Sequence, residues 1–118
     1  MSKLISILLF FIILISCSSG NSSSDSSSIR LIAEEAGGGW YAYATTISKI
    51  MQNNNITLSV IPRGGSIANP SVVSRKESDF GFTTLNAASW AKNGDNVYNG
   101  EVHSNIKGVL SGFSVGYE

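Results

Sequence analysis

The sequence predicts an α/β fold with a parallel sheet, and three observations lead to this prediction. Short apolar segments alternate with longer amphipathic segments along residues 29–113. The first two apolar segments are each followed by a glycine-rich loop, at residues 37–39 and 64–65, and then by a helical pattern. No internal repeat of solenoid or propeller length interrupts this order. Strands that alternate with helices in this way pair in parallel, with the helices packed on the sheet.

The hydrophobic periodicity places the elements in order along the chain. It predicts strands at residues 29–33, 56–61, 79–84 and 106–113, and helices at residues 40–52, 67–76 and 86–93. Gly94 follows the third helix and is expected to end it as a C-cap. In the first helix, the large apolar side chains recur at helical spacing and are expected to face the sheet: Trp40, Tyr43, Ile47, Ile50 and Met51.

The start of the second helix has two possible positions. If Ser66 is the N-cap, Pro70 lies four residues into the helix, where proline is disfavoured. If Asn69 is the N-cap, Pro70 is the first helical residue, a position that proline favours. We favour Asn69 as the N-cap, and both alternatives keep Gly64, Gly65 and Ser66 in the loop or the first turn of the helix.

The amino-terminal segment has the pattern of an export signal and a lipid anchor. Residues 1–16 carry Lys3 followed by an almost unbroken apolar run, too short for the ~20 residues of a membrane-spanning helix. Residues 14–17 resemble a bacterial lipobox, which predicts cleavage before Cys17 and lipidation of its thiol. The serine-rich residues that follow, within 17–28, predict a flexible tether. We therefore expect an exported protein on the periplasmic or cell-surface side, anchored to a membrane, with its folded domain at residues 29–118.

Composition excludes several classes of function. Cys17 is the only cysteine, so the folded domain has no disulfide, catalytic thiol or cysteine-ligated metal. Without residues 1–16 the chain has seven basic and eight acidic residues, which argues against nucleic acid as a partner. His103 has no second histidine nearby and is expected to be a surface residue rather than a metal ligand. Glu34 and Glu35, if they lie on a strand, point to opposite faces and do not form a paired-carboxylate site.

The loops after the first three strands are the candidate binding site. Open parallel sheets bind ligands at the carboxyl ends of their strands, and glycine-rich loops that open helices present backbone N–H groups to anions. In the second loop, Ser66 offers a hydroxyl to a ligand carboxylate beside Gly65, while Asn69 orients the loop or caps the helix. At the end of the third strand, Thr83 and Thr84 offer hydroxyls at the same edge.

The two glycine loops and the third strand together resemble a known family. The segments Gly37-Gly38-Gly39-Trp40-Tyr41, Gly64-Gly65-Ser66-x-x-Asn69 and Asp79-Phe80-Gly81-Phe82 are similar to the first lobe of TAXI-type solute receptors, which serve tripartite ATP-independent periplasmic (TRAP) transporters. The resemblance runs from about residue 29 to residue 113. It implies a class II periplasmic-binding-protein fold, of which residues 29–118 form part of the amino-terminal lobe, in the N-terminal part of a longer protein.

The resemblance also implies a function and further site residues. It implies binding rather than catalysis, without a cofactor: a small carboxylate or amino acid such as glutamate is held and passed to a TRAP membrane permease. The first loop then lines one wall of the ligand cleft through Gly38, Gly39, Trp40 and Tyr41.

Two other functions are compatible with the same residues. Gly37-x-Gly39-x-x-Ala42 satisfies the dinucleotide fingerprint, which would make this a cofactor-binding enzyme domain. However, Pro62-Arg63 stands where that fingerprint requires an acidic residue to bind the ribose of NAD. The cofactor would therefore have to be NADP, with Arg63 binding its 2′-phosphate. The second alternative is a sensor or surface lipoprotein that uses the same binding fold without transport.

Overall fold

The computed structural model describes residues 28–112, and it confirms the predicted α/β class. Three strands are present: β1 (Ile29–Ile32), β2 (Leu58–Ile61) and β3 (Phe80–Gly81). Three α-helices alternate with them: α1 (Gly39–Gln52), α2 (Ala68–Ser74) and α3 (Leu85–Asn93). A 3-10 turn at Asn96–Tyr98 follows α3. Gly94 ends α3 in the left-handed conformation, with φ 75°, as predicted.

The sheet has the strand order β2-β1-β3, and both pairs are parallel. The register places Leu31 of the central strand opposite Val60 on one side and opposite Phe80 on the other. Because all three strands run in the same direction, the loops that leave their carboxyl ends meet at one edge of the sheet. We call this edge, with the loops at residues 33–38, 62–67 and 82–84, the carboxyl edge.

Helix α1 covers one face of the sheet through a narrower stripe than the sequence predicts. The buried cluster on this face contains Leu31, Ala33, Ala44 and Leu58, with Trp40, Ile47 and Met51 packed against it. Tyr43 and Ile50, also predicted to face the sheet, are 51% and 57% exposed. The stripe repeats at positions 40, 44, 47 and 51, so small Ala44, rather than its larger neighbour Tyr43, meets the strands.

The opposite face of the sheet is covered by α2. Ile32 alternates with Leu31 along β1 and therefore points to this second face, where it is fully buried. An added Cβ on Gly81 would lie 2.9 Å from the Ile32 side chain and 3.2 Å from that of Val73. Gly81 therefore permits the close approach of α2 to the sheet. The domain has three layers, with α1 on one face and α2 on the other.

Two of the predicted strands differ from the structure. The third strand, predicted at residues 79–84, is only two residues long, because the chain turns away at residues 82–84 to start α3. The fourth, predicted at 106–113, is wrong over residues 106–112, which form no strand. A strand needs a neighbour for its backbone hydrogen bonds. Here Val109 and Leu110 are about three-quarters exposed, without a described strand beside them.

His103 is buried, which corrects the prediction of a surface histidine. Only 4% of it is exposed, and its Nε2 lies 2.9 Å from the Ser71 hydroxyl and 3.4 Å from a Glu101 carboxylate oxygen. Its backbone N–H donates to the Ala91 carbonyl at 2.8 Å, which draws the loop across the helices. The ring packs edge-on against Tyr98, with the centroids 5.5 Å apart.

The export signal at residues 1–16, Cys17 and nearly all of the predicted tether lie outside the described residues, as do residues 113–118. Within residues 28–112, no helix is long and apolar enough to cross a membrane.

Candidate functional site

The carboxyl edge brings every predicted binding residue of the folded domain into three loops and the helix starts that follow them. Gly38 is the N-cap of α1, and Gly39 is its first residue. The second loop leads into α2 through a turn at Ser66, and the third reaches α3 at Thr84. The full set of predicted residues is Gly38, Gly39, Trp40, Tyr41, Gly65, Ser66, Asn69, Thr83 and Thr84.

Asn69 joins the three loops through its side-chain amide. Its Nδ2 donates to the Ala33 carbonyl at 2.6 Å and to the Phe82 carbonyl at 2.7 Å. Its Oδ1 accepts the backbone N–H of Gly65 at 3.0 Å. The residue is 1% exposed, so each of these bonds replaces one that water would otherwise make. One amide therefore fixes the end of each strand relative to the other two, and the predicted role in orienting the loop is confirmed.

The predicted position of Asn69 as the N-cap of the second helix is wrong. The helix begins at Ala68, with Ile67 at the N-cap, so Asn69 and Pro70 are its second and third residues. Proline is tolerated there because the N–H groups of the first turn have no partner within a helix. The Asn69 side chain is instead taken up by the strand ends. The spacing of four residues between Gly65 and Asn69 is the sequence feature that could have indicated a hydrogen bond from the Gly65 N–H to the Asn69 side chain.

The second loop owes its shape to two glycines. Gly64 and Gly65 have φ values of 95° and 145°, which side chains other than glycine rarely adopt. An added Cβ on Gly64 would also overlap with Asn69 Oδ1. The next residue, Ser66, accepts a hydrogen bond from the Thr83 hydroxyl on its backbone carbonyl, at 2.7 Å. Among residues 28–112, the Ser66 hydroxyl itself has no hydrogen-bond partner, so it is available to a ligand.

The first loop contains a residue that the sequence did not single out for binding. Glu34 accepts the backbone N–H of Trp40, in the first turn of α1, on Oε1 at 2.6 Å. Its carboxylate lies against Gly38, so closely that an added Cβ there would overlap with Cδ and Oε1. A carboxylate at a helix N-terminus is stabilised by the unpaired N–H groups and the helix dipole. The glycine at position 38 thus makes room for a carboxylate of the chain itself.

The aromatic residues of the first loop divide between core and surface roles. Trp40 packs on Phe82 with their ring centroids 5.9 Å apart, and it contacts the buried cluster under α1. Because this contact joins the first loop to the third, Trp40 supports the site from beneath. Tyr41 is half-buried, and its hydroxyl has no hydrogen-bond partner in the described part of the chain.

Thr84 has a structural use at the start of α3. It is the N-cap, and its hydroxyl accepts the backbone N–H of Ala87 at 3.4 Å. Thr83 is engaged by Ser66, as described above, so both threonine hydroxyls already have partners within the chain. Of the predicted serine, threonine and asparagine side chains, Ser66 is therefore the one without a hydrogen-bond partner among residues 28–112.

An open depression of about 400 Å³ lies between the first and second loops. It is lined by Glu34, Glu35, Ala36, Gly38 and Gly64. The prediction that the two glutamates point to opposite faces of a strand is wrong, because β1 ends at Ile32 and both residues belong to the loop. Their carboxylates are the charged groups of this depression, which is therefore negative.

A second depression, of about 620 Å³, lies between α2 and the 3-10 turn and reaches Ile67 at the end of the second loop. It includes Arg75, Tyr98 and Glu101, and none of the predicted binding residues lines it. Burial raises the pKa of Tyr98, whose hydroxyl donates to the Ile67 carbonyl. This contact holds the 3-10 turn against the start of α2.

Comparison with known proteins gives one match. The family model described as the NMT1-like family matches residues 32–113, which is more than two thirds of the chain. The matched segment includes the carboxyl-edge loops and all three helices. No curated protein and no solved structure matches the chain.

Proposed function

The chain belongs to the NMT1-like family, a family of periplasmic-binding-protein-like, solute-binding type, and on this basis we propose that it is the solute-binding lipoprotein of a transporter. Its ligand is a small carboxylate or amino acid, such as glutamate, and its membrane partner is a TRAP permease of the TAXI type. Its task is binding, not catalysis. Cys17 carries the lipid that anchors the protein on the outer side of a membrane, with residues 17–28 as the tether.

One observation carries this proposal: Asn69 holds three loops together at the carboxyl edge of a parallel sheet. Ligands of open α/β sheets bind at this edge, where helix starts and loop N–H groups converge. The hydrogen bonds of Asn69 cost no ordering at the moment of binding, because they are present in the free protein. The unused hydroxyl of Ser66 lies in the same loop system. These features support a preformed site for a small polar molecule.

The cofactor-binding alternative is less well supported by the same geometry. A dinucleotide pyrophosphate would take the N–H groups at the start of α1, where the Glu34 carboxylate already lies. Arg63, the residue that would hold a 2′-phosphate, extends instead toward Glu77, with 3.7 Å between Nη2 and Oε2. A sensor with the same ligand but no permease remains the second alternative, and it shares the site proposed here.

Ligand-dependent thermal stability tests the proposal. The purified full chain is heated with a panel of amino acids, dicarboxylates and nicotinamide cofactors. A ligand at 100 times its dissociation constant stabilises the fold by about 2.7 kcal/mol. We expect a shift with an amino acid or organic acid that is reduced in Ser66→Ala and retained in Ser89→Ala, an exposed serine of α3.

Two outcomes would count against the proposal. A shift with NADP alone would identify a cofactor-binding domain instead. No shift with any member of the panel would refute binding of small carboxylates and amino acids by this chain. Transport is tested separately, by uptake into vesicles that contain a TRAP permease and the loaded receptor; uptake independent of the receptor would leave the sensor alternative.

A further inference from the structure

We infer that Glu34 selects ligands that carry a positively charged amino group, so that amino acids bind and the matching acids without the amino group bind weakly. This inference rests on the proposed function, and it chooses between the two ligand classes named there. It gives the first loop a role opposite to the one that its glycines suggest. The loop presents a carboxylate to the ligand in place of free N–H groups.

The first step is that an anion-binding position of the first loop is already filled. Glu34 Oε1 lies 2.6 Å from the Trp40 N–H, a short distance typical of a charge-assisted hydrogen bond. Gly38 leaves just enough room for this carboxylate. A ligand carboxylate that approached the same helix start would have to displace Glu34 or lie beside it. Either event is unfavourable, because one negative charge would be stripped of its partner or placed next to another.

The second step is that Glu34 retains capacity for a donor. A carboxylate accepts about four hydrogen bonds, and Oε2 makes none within the described part of the chain. Glu34 is only half-buried and lines the depression between the first and second loops. An ammonium group supplies up to three N–H donors and a positive charge, and it is therefore the natural partner for Oε2.

The third step is that no cationic side chain among residues 28–112 lines this depression. Glu35 adds a second carboxylate to the depression, and its remaining lining residues, Ala36, Gly38 and Gly64, are uncharged. The basic residue of the second loop, Arg63, is directed to Glu77, and Arg30 of β1 is paired with Asp79. An amino acid can satisfy both sides at once, with its ammonium group at Glu34 and its carboxylate toward the second loop and Ser66.

Matched ligand pairs test this inference on the full chain. Calorimetric or thermal-shift titrations compare L-glutamate with glutarate, L-aspartate with succinate, and L-alanine with propionate. For the wild-type protein we expect each amino acid to bind at least about tenfold more tightly than its partner. In Glu34→Gln, the affinity ratio is expected to fall by about tenfold, because the amide keeps the Oε1 acceptor for Trp40 but loses the charge.

Controls separate selectivity from folding and from total charge. Asp95→Asn removes one exposed carboxylate away from the site, and it should leave the ratio unchanged. If Glu34→Gln does not fold, two measurements on the wild-type protein test the inference. These are the affinity ratios of the matched pairs and the competition of alkylamines, which lack a carboxylate, with a bound amino acid. The inference would be overturned if both members of every pair bound the wild type equally and the affinity ratios were the same in Glu34→Gln. The proposed function would then still stand. Failure of every ligand to bind the wild type would remove both.

Discussion

Replacement of Asn69 by aspartate is the most direct test of how the carboxyl edge is built. The substitution preserves the shape of the side chain, so it creates no cavity. It keeps an oxygen for the Gly65 N–H but removes both donors, which leaves the Ala33 and Phe82 carbonyls facing a carboxylate. Because Asn69 is 1% exposed, water does not replace these two bonds without opening the loops.

The cost follows from the number of bonds that are lost. A buried polar group left without its partner costs about 1–3 kcal/mol, so two carbonyls give about 2–6 kcal/mol. A domain of this size has a total stability of about 4–13 kcal/mol. Asn69→Asp is therefore expected to remove a large part of the folding free energy. The penalty should shrink as the pH is lowered, since protonation removes the buried charge and restores one donor.

Urea denaturation of the full chain at pH 7.5 and pH 5 measures this effect. Asn54→Asp is the matched control, because the Asn54 amide donates a single exposed hydrogen bond to the Ile50 carbonyl, at 2.9 Å. We expect the control to lose no more than about 1 kcal/mol. If Asn69→Asp lost no more than the control at pH 7.5, the argument that one amide ties the three loops would be refuted.

Two further predictions concern the first loop and the amino-terminal end of the sheet. Gly38→Ala places a Cβ against the Glu34 carboxylate and should destabilise the fold by about 1–3 kcal/mol in thermal melts. Gly39→Ala is the control, because its Cβ has open space, and it should destabilise the fold far less. Equal losses of stability in the two variants would contradict the packing described here. The hydrogen bonds from Arg30, and to a smaller extent its charge, lower the pKa of Asp79. This pair therefore stabilises the fold above about pH 4, the usual pKa of an aspartate in an unfolded chain. The stabilisation is lost as the pH falls through the lowered pKa of Asp79 in the folded protein. Asp79→Asn should flatten the acid side of a stability–pH curve, and an unchanged acid side would show that the pair contributes nothing.

Two residues, His103 and Glu34, could not be placed correctly from the sequence. His103 is a single histidine in a polar stretch, and such residues usually lie on the surface. Its burial depends on a backbone hydrogen bond to Ala91 and a hydroxyl from Ser71, both distant in sequence. Glu34 follows the strand predicted at residues 29–33, and local periodicity does not show where its side chain points. Its hydrogen bond with the Trp40 N–H depends on how the first loop turns back onto the start of α1.

The amino-acid sequence by itself determined the order of strands and helices, the parallel pairing and the position of the candidate site at the carboxyl edge. These features follow from local periodicity, from the glycine-rich loops that follow the strands and from the rule that parallel strands end together. Tertiary structure alone decided what each polar side chain at that edge does. Asn69 is consumed in joining three loops, Thr84 caps a helix and Glu34 fills the start of α1, while Ser66 keeps its hydroxyl free. The physical reason is that a buried polar group must find a partner, and which partner lies within hydrogen-bonding distance is decided by packing rather than by position in the chain.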